Sequence, residues 1–103
     1  MVRMQIEFHP TAKARLLEIW SYTEANWGEA PADGYIRELM DAVERLSDPA
    51  YPRRSVVDAQ LPGIYFIRFR RHFIFFRQLA VSRIGVVNIL HEAMDIPSRL
   101  KAE

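Results

Sequence analysis

Three runs in the second half of the chain, Ile64–Arg70, His72–Leu79 and Arg83–His91, are dense in β-branched and aromatic residues. The links between them are so short that an antiparallel meander is the simplest pairing. What constrains the fold most is that these strands are apolar at both parities. Ile64 and Phe66 oppose Tyr65, Ile67 and Phe69; Ile74 and Phe76 oppose Phe73, Phe75 and Leu79; Val86 and Leu90 oppose Val87 and Ile89. A sheet packed on one face only reads apolar on that face and polar on the other. This sheet needs two covers.

The first half supplies one of them. Val2, Met4, Ile6 and Phe8 alternate with Arg3, Gln5 and Glu7, the period of a half-buried strand. His9-Pro10 breaks that pattern, and Pro10 suits the first position of a helix. Ala12, Leu16, Ile19, Trp20, Thr23 and Trp27 then fall on one helical face, which places both tryptophans in the core. Gly28 stops this helix. A second helix begins near Pro31, with the stripe Ala32, Tyr35, Ile36, Leu39, Met40, Val43 and Leu46, and ends at Asp48-Pro49. So short a link makes the two an antiparallel αα-hairpin. The expected fold class is α+β: an N-terminal strand, an αα-hairpin, then a three-stranded antiparallel meander, with the helices packed on one sheet face. One domain spans 1–103.

A single hairpin covers a single face. The other is left to the loop 49–62 and the tail after Pro97, or to a partner. An apolar face with a charged rim favours the partner. Residues 1–50 carry five Lys/Arg against nine Asp/Glu, whereas residues 51–103 carry nine against four. Arg68, Arg70, Arg71 and Arg77 therefore rim an apolar face, the character of a protein-binding site with an acidic partner.

Catalytic patterns are sparse. The chain has no cysteine, which removes thiolate chemistry and disulfides and points to a reducing, cytoplasmic setting. The four glycines stand apart, so no phosphate loop forms. His9, His72 and His91 show no metal-ligand spacing, and no metal or cofactor is expected. No apolar run reaches the length of a membrane span, and Glu7 and His9 interrupt any signal-peptide core. His91 beside Glu92 has the composition of a general base and its orienter. Neighbouring strand residues face opposite ways, however, so a structural or partner-contacting histidine is the preferred reading.

Four motifs in series carry a family resemblance. Ile89-Leu90-His91-Glu92-Ala93-Met94-Asp95 resembles the I-L-H-x-x-M-D signature of the RelE/ParE toxin superfamily. His72-Phe73-Ile74-Phe75-Phe76-Arg77 is similar to the H-x-I-F-Y-R strand of its ParE, or plasmid-stabilisation, branch. Ile19-Trp20-Ser21-Tyr22-Thr23 with Trp27-Gly28 resembles that branch's first helix and turn, and Tyr35 and Leu39 fit its second. The sequence departs from the pattern at Phe76, where Tyr is usual, at Asn88 and Ala93, where many relatives carry Arg, and at Arg71, where Gly is common.

The resemblance implies the toxin of a type II toxin–antitoxin module. Its partner would be a cognate antitoxin with an acidic, disordered C-terminal segment. That segment would dock on Arg68, Arg70, Arg71, Phe73, Phe75 and Arg77. The ParE branch implies DNA gyrase as target and inhibition by binding, without catalysis. His72, His91, Glu92, Met94 and Asp95 would then contact the target. The RelE branch implies instead a ribosome-dependent mRNA endoribonuclease, with the same five residues as its catalytic candidates. A degenerate, non-toxic antitoxin-binding protein is the third alternative. Direct contact with nucleic acid is expected only through an antitoxin complex.

Overall fold

The structure, a computed structural model, describes residues 3–102. Its elements in order are β1 (Gln5–Phe8), α1 (Pro10–Trp27), α2 (Glu29–Glu44), a 3-10 turn at Arg45–Ser47, β2 (Arg54–Ser55), β3 (Tyr65–Phe69), β4 (His72–Ala80), β5 (Arg83–His91) and α3 (Ile96–Ala102). They build a five-stranded mixed sheet in the order β1-β5-β4-β3-β2. β1 lies parallel to β5, and the other pairs are antiparallel. Val2, expected in the first strand, lies outside the described residues. β2 falls inside the stretch expected as loop. It pairs only Arg54 with Phe66 and Ser55 with Tyr65, too short a strand to show a period.

Local chemistry sets the hairpin. His9 caps α1, its Nδ1 accepting from Thr11 N–H at 3.2 Å, and Pro10 follows at the first position. Gly28, at φ +96°, ends α1 and also opens α2. α2 thus starts at Glu29, ahead of the expected Pro31. Pro31 sits in its first turn, where a missing N–H costs nothing. Between this hairpin and the sheet, Leu39, Val43, Leu46, Ile67, Ile74, Phe76, Ile84, Val86 and Ile89 are buried. Each fully buried large side chain contributes about 1.5–3 kcal/mol relative to exposure.

Three expectations are corrected. Neither tryptophan joins the core: Trp27 is 64 % exposed at the free end of the hairpin, and Trp20 is only part-buried, outside both core clusters. The helical stripe continues to Gly28, but the tertiary cover does not reach that far. Strict alternation also fails in β5. Phe75 pairs with Asn88 but Phe76 pairs with Val86, so Val87 is the extra residue of a bulge. The bulge shifts the phase. Val86 and Ile89 join the helix-side core, while Val87 and Leu90 face the other way. Finally, the second face is covered in its middle by the chain itself. Ile64, Phe75, Leu90 and Leu100 are buried there, packed with Val56, Leu61, Met94 and Ile96. A 3.0 Å Lys101–Asp58 ion pair ties α3 to the covering loop. The backbone N–H of Gln60, then Lys101, hold the Asp58 carboxyl below its ordinary pKa.

Candidate partner-binding site

The arginines expected to rim one face divide between two. β3 and β4 meet in a two-residue turn, with Phe69 paired to His72. Its first residue, Arg70, takes φ +54°, and that conformation belongs to Arg70 rather than to Arg71. The turn sends Arg70 to the helix side. There its guanidinium lies 5.3 Å from the Tyr35 ring and 5.4 Å from the Phe69 ring, and pairs with Glu38. Arg68 stays on the second face, 5.4 Å over Phe73, and pairs with Glu92 at 2.6 Å. Arg71 reaches the same carboxylate at 3.4 Å. Glu92 thus serves two arginines and does not orient His91.

His72 and His91 are cross-strand partners on the helix side, with ring centroids 5.1 Å apart. Burial, then the neighbouring His91, push the His72 pKa down to about 4, against the opposing pull of Glu92. Burial also raises the Tyr35 pKa. The phenol therefore keeps its proton, and its hydroxyl is hydrogen-bonded to neutral His72 Nδ1 at 2.8 Å. His91 Nδ1 accepts from the backbone N–H of Ala93 at 3.0 Å. Met94 packs into the second core cluster. Asp95 immediately precedes α3, its carboxylate accepting from Ser98 Oγ and its backbone carbonyl from Arg99 N–H. Tyr35 is the member of this polar cluster that sequence reasoning placed only on a helical stripe. Its i+4 spacing to Leu39 carries no sign of a distant histidine.

Of the residues expected to meet an acidic partner, Phe75 is only 3 % exposed and belongs to the core, beneath α3 and the loop. Phe73 is half-buried. Arg77 is exposed, and its side chain makes no hydrogen bond or ion pair among the described residues. Asp58 and Glu92 are engaged elsewhere, by Lys101 and by Arg68 and Arg71 respectively. Arg77 stands at a cavity of about 370 Å³ lined by Glu7, Phe8, His9, Leu61, Ile64, Leu79, Gly85, Val87, Asn88 and Leu100. Leu79, 41 % exposed, closes over Gly85, where a Cβ would stand 2.9 Å from its Cδ1. This stretch of second face is open: a mostly apolar groove in which Glu7 is paired with Arg83 at 3.3 Å and the Arg77 guanidinium has no ion pair among the described residues. No group of three or more His, Asp or Glu gathers among the described residues, and no described helix is long and apolar enough to cross a membrane.

A helical hairpin and a five-stranded mixed sheet in this order form the RelE/ParE fold. The structure is similar to one titled as a chromosomal ParDE toxin–antitoxin system from P. aeruginosa. The TM-score is 0.72 at 18% identity, over 86% of this chain and 96% of that one. It is also similar to a chain of the toxin–antitoxin complex RelBE2 from Mycobacterium tuberculosis, with a TM-score of 0.56 at 17% identity, over 91% and 97% of the two chains. Sequence narrows the class. Residues 6–96 match the family described as ParE toxin of type II toxin-antitoxin system, parDE. Toxin ParE1 of Mycobacterium tuberculosis is 37% identical over 92 residues, 88% of this chain and 92% of that protein. Toxin ParE of Escherichia coli is 34% identical over 89 residues, 86% and 85% of the two. The chain belongs to the ParE toxin family of type II toxin–antitoxin systems.

Proposed function

We propose that this toxin arrests growth by binding DNA gyrase, without catalysing a reaction, and that a cognate antitoxin neutralises it through an acidic, disordered C-terminal segment. The observation that carries the reading is the family match over residues 6–96. The state of the acid–base groups supports binding over chemistry. His72 is neutral and engaged by Tyr35, His91 Nδ1 is engaged by Ala93, and Arg68, Arg70 and Arg71 are paired with Glu92 and Glu38. Proton transfer beside these cations would have to use a histidine Nε2, since both Nδ1 atoms are engaged. The toxin would work in the cytoplasm, where gyrase is.

The antitoxin segment would lie in the groove at Arg77. Folding a disordered segment costs several kcal/mol, so apolar burial against Leu61, Leu79 and Val87 must supply most of the affinity. The carboxylate on Arg77 would set its register. One similar structure is described as a toxin–antitoxin complex and the other as a toxin–antitoxin system, which supports such a partner.

A ribosome-dependent endoribonuclease is the second reading, because His72, His91 and three arginines do gather at one end of the sheet. The test is induction of the chain alone in a bacterial host. Filamentation with a DNA-damage response is expected. Codon-phased mRNA cleavage in primer extension would promote the nuclease, and unimpaired growth would point to a degenerate toxin.

A further inference from the structure

The free end of the helical hairpin carries an exposed aromatic pair that the fold does not use. Tyr22 and Trp27 are each 64 % exposed, and their rings meet edge to face with centroids 6.1 Å apart. They sit where α1 ends at Gly28, and every residue from 24 to 31 is exposed. Two side-chain hydrogen bonds brace the platform beneath them. Trp20 Nε1 donates to Asp33 Oδ1 at 2.8 Å, tying the two helices together, and Asn26 Nδ2 donates to the Tyr22 carbonyl at 2.8 Å.

The charge around this pair has one sign. No Lys or Arg occurs between Arg15 and Arg37, while Glu18, Glu24, Glu29 and Asp33 all do. Glu18 is paired with Arg15, but Glu24 and Glu29 have no ion pair among the described residues. The tip is also remote from the Arg77 groove. That groove is lined by His9, at the start of α1. The 18 residues of α1 put the tip about 27 Å away.

We propose that Tyr22 and Trp27 are the anchor by which the toxin grips its target protein, on a surface separate from the antitoxin groove. Tryptophan and tyrosine dominate binding hot spots, and rings already packed on one another lose little freedom on association. The acidic surround fits a target surface with Lys and Arg around an apolar notch wide enough for an indole. Proteins that handle DNA carry such basic surfaces where they meet phosphates. This inference rests on the proposal that the toxin acts by binding, and it assigns the binding to a place.

The test uses purified DNA gyrase as probe, with host growth in parallel. The variants are Tyr22→Ala/Trp27→Ala and Glu24→Gln/Glu29→Gln. The aromatic variant should need roughly thirtyfold more protein for half-inhibition of supercoiling. It should also fail to arrest growth, with its circular dichroism melt unchanged because both rings are exposed. The charge variant should show a weaker dependence of inhibition on salt. An aromatic variant as potent as wild type in both assays overturns the inference and leaves gyrase binding standing. If wild type arrests growth but spares gyrase, the choice of gyrase falls, and loss of arrest in the aromatic variant still supports the anchor. Wild type inert in both assays overturns both proposals. A wild-type dimer in sedimentation that Trp27→Ala disperses would show that the tip meets a second copy instead, and would also overturn the inference.

Discussion

His72 couples the helical hairpin to the sheet through one hydrogen bond, and burial pushes its pKa down to about 4 from an ordinary 6.5. The unfolded chain takes up a proton near pH 6.5, while the folded chain resists until about pH 4. Stability from neutral His72 is therefore complete above pH 6.5, falls as pH is lowered through that window, and levels off below about 4. The full difference between the two pKa values is worth about 3.4 kcal/mol, and because His72 is only part-buried, solvent screening should leave roughly 1–2 kcal/mol of it. In His72→Gln, which keeps an acceptor for Tyr35, thermal melts between pH 7 and 4 should show a flatter slope. An unchanged slope would assign the pH dependence elsewhere. Arg77 carries a second prediction. Arg77→Ala should weaken antitoxin binding by about 2–5 kcal/mol, since a carboxylate bound in the groove loses a partly desolvated partner. Arg71→Ala, exposed and already paired with Glu92, should cost about 1 kcal/mol or less. Titration calorimetry decides, and equal small losses would sink the distinction. Strand parity made Arg77 legible in the sequence, sharing a face with Phe73 and Phe75. It misplaced Arg70, because alternation does not carry through a turn whose first residue takes positive φ.

The elements themselves were legible wherever period and punctuation agreed. α1 starts at Pro10 and stops at Gly28 as read, and β5 spans the expected Arg83–His91. What escaped were features without a period. The bulge at Val87 leaves residue composition untouched, and two-residue β2 hides among prolines. The chain's own cover over the second face depends on where an irregular loop and a seven-residue helix come to rest. That cover is testable. Leu100 is 8 % exposed and meets the cluster of Ile64, Phe75 and Leu90. Leu100→Ala should destabilise the toxin by about 2–4 kcal/mol in urea unfolding. Lys101→Ala, removing an exposed ion pair to Asp58, should cost about 1 kcal/mol or less. A change under about 0.5 kcal/mol for Leu100→Ala would mean that α3 does not seal that face.

At the scale of the whole molecule, charge divides between the hairpin and the sheet, and so do the two proposed sites. The acidic hairpin projects its aromatic tip at one end, and the arginine-bearing sheet holds the groove and the Tyr35–His72–His91 cluster. The family was legible from four motifs before any fold was known, since they are strung along most of residues 4–96. Which surface meets which partner was not, because that depends on what the chain already pairs for itself. The central claim is that this toxin acts by binding gyrase. The most direct measurement is supercoiling of relaxed plasmid by purified gyrase as purified toxin is added, beside a ribosome-programmed mRNA cleavage assay at the same concentrations. The account predicts concentration-dependent loss of supercoiling with the message intact. Normal supercoiling with codon-phased cleavage of the message would contradict it.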